Sequence, residues 1–215
     1  MKVEIWSDFA CPFCYIGKRH FEKALKNSGL EKNVEVEWKS FQLSPDTVSQ
    51  PGKNIHQYLA ERKGQTVEWA KEMNAHVTAM AADAGLNYKM NDVVIANTFG
   101  AHRLSQFAKK KGKQDEVEEK LFSAYFLGGK DLADRKVLEK IAVSAGLDAE
   151  ETKQFLDSEE AVMDVEQDIR EATQIGVRGV PFFVFNRKYA VSGAQPVETF
   201  VNTLRKVVQE ESGAE

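Results

Sequence analysis

Ser7 to Lys18 reads SDFACPFCYIGK and holds Cys11 and Cys14, the only two cysteines among 215 residues. Two lone cysteines flanking Pro12 and Phe13 call for one of four readings: a metal site, a structural bridge, two neighbouring buried thiols, or a redox pair. The residues just before them, KVEIW at 2–6, are short, β-branched and aromatic, and predict a strand. From Pro12 to about Asn27 a helical period sets Gly17, Phe21, Ala24 and Leu25 on one face, and Gly29 supplies a stop. Cys11 therefore falls at a strand-to-helix junction and Cys14 one turn into the helix. Residues three apart on a helix are neighbours, so the two Cα atoms should lie about 5–6 Å apart, within the span a disulfide tolerates.

Pro12 suits the first helical position, where a missing N–H is no loss. Cys11 then sits near unpaired backbone N–H groups and the positive end of the helix dipole. Both favour the thiolate, which is the nucleophile. Cys14 is placed to attack a mixed disulfide formed at Cys11, completing thiol–disulfide exchange. A structural zinc site needs four ligands. The chain has no second cysteine pair, and His20 falls off the helical face of Cys14. No metal is expected. Two buried thiols packed as small hydrophobes are the plain alternative.

The rest of the chain frames this motif. VEVEWKSF, 34–41, alternates, with Val34, Val36 and Trp38 on one side and Glu35, Glu37 and Lys39 on the other, which predicts a half-buried strand. Pro45 and the polar residues to Asn54 break the pattern. Helical stripes follow: Trp69, Met73, Val77, Met80 and Ala84; Ala101, Leu104 and Ala108; Leu121, Phe122, Tyr125 and Phe126; Val137, Leu138, Ile141 and Ala145; Val162, Val165, Ile169 and Ala172. Asp148 with Glu151 reads as a capping box. Strand character returns in GVPFFVF, 179–185. A turn at Asn186–Lys188 and YAVSG make a hairpin, and Phe200, Val201, Leu204, Val207 and Val208 form a last amphipathic helix. Pro181 belongs at the first residue of its strand, because proline inside a strand loses a ladder bond. The order is β-α-β, a helical block, then β-β-α.

Composition is that of a soluble globular chain, 42% apolar and 29% charged with a net charge of −4. So mild a charge gives no reason to expect a nucleic-acid or membrane partner. Glu4 and Asp8 interrupt any signal-peptide core, and no window approaches the roughly 18 apolar residues of a membrane span. The expected location is cytoplasmic, where cysteine pairs tend to be catalytic or metal-binding.

Taken together, SDFACPFCYIGK, GVRGVPFFVFNRKYAVSGAQP and the helical ANTFGAHRLSQFAKKKG resemble the DsbA family of thioredoxin-fold oxidoreductases, with details similar to its FrnE-like branch. The resemblance spans nearly the whole chain. It implies an α/β thioredoxin-like fold interrupted by a large all-helical insertion, with residues 1–45 and 176–215 in the thioredoxin-like domain and 46–175 inserted as a cap. The sheet order implied is second, first, third, fourth strand, with the third antiparallel to the first. Val180-Pro181 would then lie beside Cys11, with its peptide cis, and the Val180 backbone would pair with an extended substrate segment.

The expected activity is thiol–disulfide oxidoreduction, with disulfide isomerisation as an extension. Cys11 and Cys14 would be catalytic, and Val180 and Pro181 would position substrate. Partners would be thiol- or disulfide-containing proteins or small molecules. No cofactor is expected beyond the Cys11–Cys14 pair itself, and glutathione is a candidate co-substrate. Pro12, Phe13 and Asp8 are candidate tuning residues. Phe13 replaces the histidine of DsbA and offers neither charge nor donor, so a weaker oxidant is expected; Asp8 also reads as a polar cap on the strand end. His102 is a speculative site residue, since a lone helical histidine is more often structural. The lysines at 109–111 and 113 read as a solvated helix end. A glutathione-dependent transferase or isomerase of the kappa or 2-hydroxychromene-2-carboxylate type shares the fold. It resembles this pattern with serine at the nucleophile position, which two cysteines argue against. A chaperone-like binder with incidental thiols is a third reading. Oligomeric state is not legible.

Overall fold

Strand β1 (Lys2–Ser7) is buried along nearly its whole length, as a central strand must be. Alternation sends Val3, Ile5 and Ser7 to one face and Glu4 and Trp6 to the other. In the computed structural model, which describes residues 1–212, β1 is joined by β2 (Glu35–Ser40), β3 (Phe182–Phe185) and β4 (Tyr189–Ser192) in the order β2-β1-β3-β4. β2 runs parallel to β1, with Ile5 opposite Trp38, while β3 is antiparallel to β1, with Trp6 opposite Phe182. β3 and β4 form an antiparallel hairpin whose turn holds Asn186 and Arg187 at positive φ. This is the thioredoxin-like arrangement, with a helical insertion between β2 and β3.

The chain divides into two compact units: Met1–Leu43 with Glu166–Glu215, and Ser44–Val165. In the first, helices α1 (Pro12–Ser28) and α9 (Val197–Ser212) pack together. Phe21 of α1 meets Phe183, Phe185 and Phe200 at ring-centroid distances of 5.5, 6.1 and 5.7 Å. All four rings are buried. Each contributes about 1.5–3 kcal/mol by burial. α1 stops at Gly29, whose φ of 70° is left-handed and whose N–H bonds back to Leu25 and Lys26.

The opposite face differs from the half-exposed strand read in 34–41. Glu37 is 8% exposed and Glu4 only 3%. They are covered because this face carries ion pairs to the C-terminal part of α8 (Val162–Gln174) and to the hairpin turn. Lys39 Nζ lies 3.0 Å from Asp168, 3.2 Å from Glu37 and 3.3 Å from Glu171. Arg187 bridges Glu4 and Glu171. Asp168 also accepts the Ser40 N–H at 2.9 Å, and its carbonyl accepts Trp6 Nε1–H at 3.0 Å. Trp6, Ala172, Val177 and Val184 form the apolar cluster on this face. Burial alone would lower the Lys39 pKa, but Asp168 and the neighbouring carboxylates more than offset it and raise it. These contacts tie residues 168–172 to the sheet. That is why the division between units falls within α8, earlier than the boundary after residue 175 read from the sequence.

The second unit contains α2 (Ile55–Lys63), α3 (Val67–Asp83), α4 (Phe99–Lys110), α5 (Gln114–Phe126), α6 (Arg135–Ser144) and α7 (Ala149–Leu156). Asn54, Thr66, Asp134 and Asp148 cap four of these helices with side-chain oxygens that accept backbone N–H groups. The stripe expected on α3 is rotated. The helix buries Ala70, Asn74, Val77 and Ala81 and leaves Met73 38% exposed. Small residues let α2 approach closely, and Asn74 is satisfied there, its Nδ2 donating to His56 Nδ1 at 2.9 Å.

Candidate active site

Cys11 is the N-cap of α1, in extended backbone (φ −91°, ψ 112°), with Pro12 opening the helix. Its N–H donates to the Asp8 carbonyl at 3.0 Å, and the Cys14 N–H donates to the Cys11 carbonyl at 3.1 Å. Cys11 makes no side-chain capping hydrogen bond, so its sulfur is not engaged by the helix start. Both cysteines are free thiols. Cys11 is 3% exposed and Cys14 is fully buried, so Cys11 is the more accessible of the two sulfurs.

The two halves of the motif meet here. Cys11 Sγ donates to the Val180 carbonyl at 3.4 Å, and the Val180–Pro181 peptide is cis. Register explains the encounter: Phe182 pairs with Trp6, so the residues before β3 fall beside the end of β1. The Pro181 carbonyl accepts the Gly193 N–H at 2.8 Å, which ties this loop to the end of β4. Gly17 supports the loop from α1. A Cβ at that position would lie 2.9 Å from Pro181 Cγ and 3.4 Å from the Phe183 ring.

Burial, followed by the adjacent Cys11, pushes the Cys14 thiol well up from its ordinary range; the Ser7 hydroxyl and the Asp8 N–H pull the other way. Asp8 itself is 1% exposed. Its carboxylate accepts the Ala10 N–H at 3.3 Å and the Leu43 N–H at 2.8 Å, joining the motif to the segment after β2. Pro12 and Phe13 are half-buried at the mouth of the helix. His102 is buried on α4 in the helical unit. Among the described residues, no cluster of three or more His, Cys, Asp and Glu side chains could hold a metal, and no helix is long and apolar enough to cross a membrane.

Two contributors were not singled out from the sequence. Ser7 shares a strand face with Val3 and Ile5, so parity alone points it toward the helix that carries Cys14. Gly17 was read as helix packing, and only the fold shows that it packs Pro181.

The DSBA-like thioredoxin domain matches residues 2–205. A crystal structure of a probable DsbA oxidoreductase from Streptomyces coelicolor is 39% identical, with a TM-score of 0.92 over 98% of this chain and 91% of that one. An uncharacterized protein of Bacillus subtilis, YwbO, is 30% identical over 73% of this chain and 72% of its own length. The cytosolic disulfide reductase DsbM from Pseudomonas aeruginosa shares the fold at 15% identity, with a TM-score of 0.69 over 97% of this chain and 99% of that one. With its cysteine pair at the start of α1 and a sheet ordered β2-β1-β3-β4, this chain belongs to the family of DSBA-like thioredoxin domains.

Proposed function

We propose that the protein is a thiol–disulfide oxidoreductase of the FrnE-like branch, acting in the cytoplasm on disulfide- or thiol-bearing proteins or small molecules. The observation that carries this reading is the contact from Cys11 Sγ to the Val180 carbonyl at 3.4 Å, with Cys14 one turn behind on the same helix. Cys11 as thiolate attacks one sulfur of a substrate disulfide and forms a mixed disulfide, while the other substrate sulfur leaves and takes a proton. Cys14 then attacks Cys11 Sγ, forms the Cys11–Cys14 disulfide and releases the second substrate thiol. Two electrons pass from the dithiol to the substrate; oxidation of a substrate dithiol runs the same steps backwards.

The Val180-Pro181 segment is the surface where an extended substrate pairs with the backbone. Glutathione is the candidate small co-substrate, and isomerisation follows if the mixed disulfide is attacked by a second substrate thiol before Cys14 resolves it. Insulin reduction and exchange with glutathione disulfide test the proposal. Cys11→Ser abolishes both, and Cys14→Ser abolishes turnover while accumulating mixed disulfides that identify the partners. Wild-type activity in both variants sinks the mechanism.

A further inference from the structure

Ser7 is 3% exposed, and its hydroxyl has no hydrogen-bond partner among the described residues. Buried polar groups are rarely left so, and each one calls for a reason. Parity along β1 turns this hydroxyl to the face packed by α1, where Cys14 is fully buried. It lies near enough to pull the Cys14 thiol down in pKa, alongside the Asp8 backbone N–H and against the stronger upward push of burial and of Cys11.

We propose that Ser7 is a positioning residue whose hydroxyl donates a hydrogen bond to Cys14 Sγ as that sulfur attacks the mixed disulfide on Cys11. The proposal rests on the disulfide-exchange reading above. A neutral thiol is a weak acceptor, so the hydroxyl gains little from it in the resting dithiol. As Cys14 loses its proton, the sulfur becomes a charged acceptor in a dry site, where a pre-set donor acts most strongly. The interaction is thus stronger in the transition state than in the ground state, which is the condition for accelerating the step.

Beside the Asp8 backbone N–H, the neighbouring side chains leave this task to Ser7. On β1 and its extension, the Asp8 carboxylate is engaged by the N–H groups of Ala10 and Leu43. On α1, Lys18 is paired with Glu22, and Cys11 is the reaction partner itself. The loop before β3 contributes Pro181, packed on Gly17, and β3 contributes Phe183. The step balances: Cys14–SH and Cys11–S–S–R give Cys11–S–S–Cys14 and R–SH, the S–S bond to R breaking as the new one forms. The departing R sulfur takes the electron pair and the proton that Cys14 gives up.

The test titrates Cys14 directly. In a Cys11→Ala background, the thiolate absorbance near 240 nm is followed against pH with Ser7 present and with Ser7→Ala. Loss of the hydroxyl raises the Cys14 midpoint by about one pH unit, equivalent to about 1.4 kcal/mol. With Cys11 intact, Ser7→Ala slows release of glutathione from the Cys11 mixed disulfide about three- to fourfold near neutral pH, the roughly tenfold loss of thiolate being partly offset by the greater nucleophilicity of the more basic sulfur, and leaves the alkylation rate of Cys11 unchanged. Ser7→Thr, which keeps a hydroxyl and suits a strand, restores the wild-type midpoint. An unchanged midpoint in Ser7→Ala overturns the assignment. A shifted midpoint in a protein that does not exchange with glutathione disulfide upholds the contact and overturns the disulfide-exchange reading instead.

Discussion

Gly17→Ala sets two opposed effects against each other at the site. Alanine inside a helix is favoured over glycine by about 1 kcal/mol, so at an open position on α1 the change would stabilise. Position 17 is not open. The added Cβ would sit 2.9 Å from Pro181 Cγ, 3.4 Å from Phe183 Cζ and 3.6 Å from Ala194 Cα. Carbon atoms pack best at about 3.5–4.0 Å, so the proline ring must retreat by about half an ångström or more. Overpacking a filled site costs about 1–3 kcal/mol. The net effect is a loss of about 1 kcal/mol, which lowers the melting temperature of a chain this size by about 2–4 °C. The movement also carries the Val180 carbonyl relative to Cys11 Sγ, now 3.4 Å away, so exchange with glutathione disulfide slows more than the stability loss explains. Thermal unfolding and a single-turnover exchange assay on the same preparation read both effects. A variant that melts about 2–4 °C higher with unchanged exchange kinetics would refute the claim that Gly17 is needed for close approach of Pro181.

Three further predictions follow from the charged face and the helix start. Asp168→Ala leaves Lys39 without its nearest partner at 3.0 Å and the Ser40 N–H without its acceptor. The pair is largely but not fully covered, with side chains 6% and 12% exposed, so the loss is about 2–4 kcal/mol, measured as a lower urea midpoint at unchanged m-value. Glu171 is pushed up by burial but pulled further down by Arg187 and Lys39, so its folded pKa lies below the ordinary 4.5. Its stabilising contribution is present above that value and fades as pH falls through the depressed one. Glu171→Gln therefore flattens the acid limb of stability against pH, and an unaltered limb excludes Glu171 as a source. Phe13→His places a donor and a titratable cation beside the start of α1, which stabilises a Cys11 thiolate and hence the reduced form. The reduction potential measured against glutathione rises by about 30 mV or more, each 30 mV being about 1.4 kcal/mol; an unchanged potential shows that position 13 does not tune the pair, and a lowered one overturns the stated direction.

Local features were legible because they depend on residues near one another in the chain. The strand before Cys11, the helix opening at Pro12, the hairpin after Pro181 and the cap at Asp148 all follow from short-range patterning and backbone preference. What faces each element was less accessible. The polar side of 34–41 looked solvent-facing, because alternation reports which side chains are polar and not what covers them. Asp168 and Glu171, far along the chain, pair with Lys39, and Lys2 and Lys39 pair with Glu37. On α3 the apolar count favoured a stripe through Met73, yet the face holding Asn74 is the buried one. A hydrogen bond to His56 satisfies a polar side chain that a hydrophobic count treats as exposed.

The sequence alone determined that two cysteines stand at a strand-to-helix junction, one turn apart, in a chain whose sheet is split by helices. Those facts rest on period and spacing. The resemblance placed Val180-Pro181 beside Cys11; only the tertiary structure decided that the Val180 carbonyl is the Cys11 acceptor, that the Ser7 side chain shares the face packed by the Cys14 helix, and that Gly17 lies beneath Pro181. Antiparallel pairing of β1 with β3 brings residue 180 to residue 11, and no local rule encodes a contact that long-range register creates.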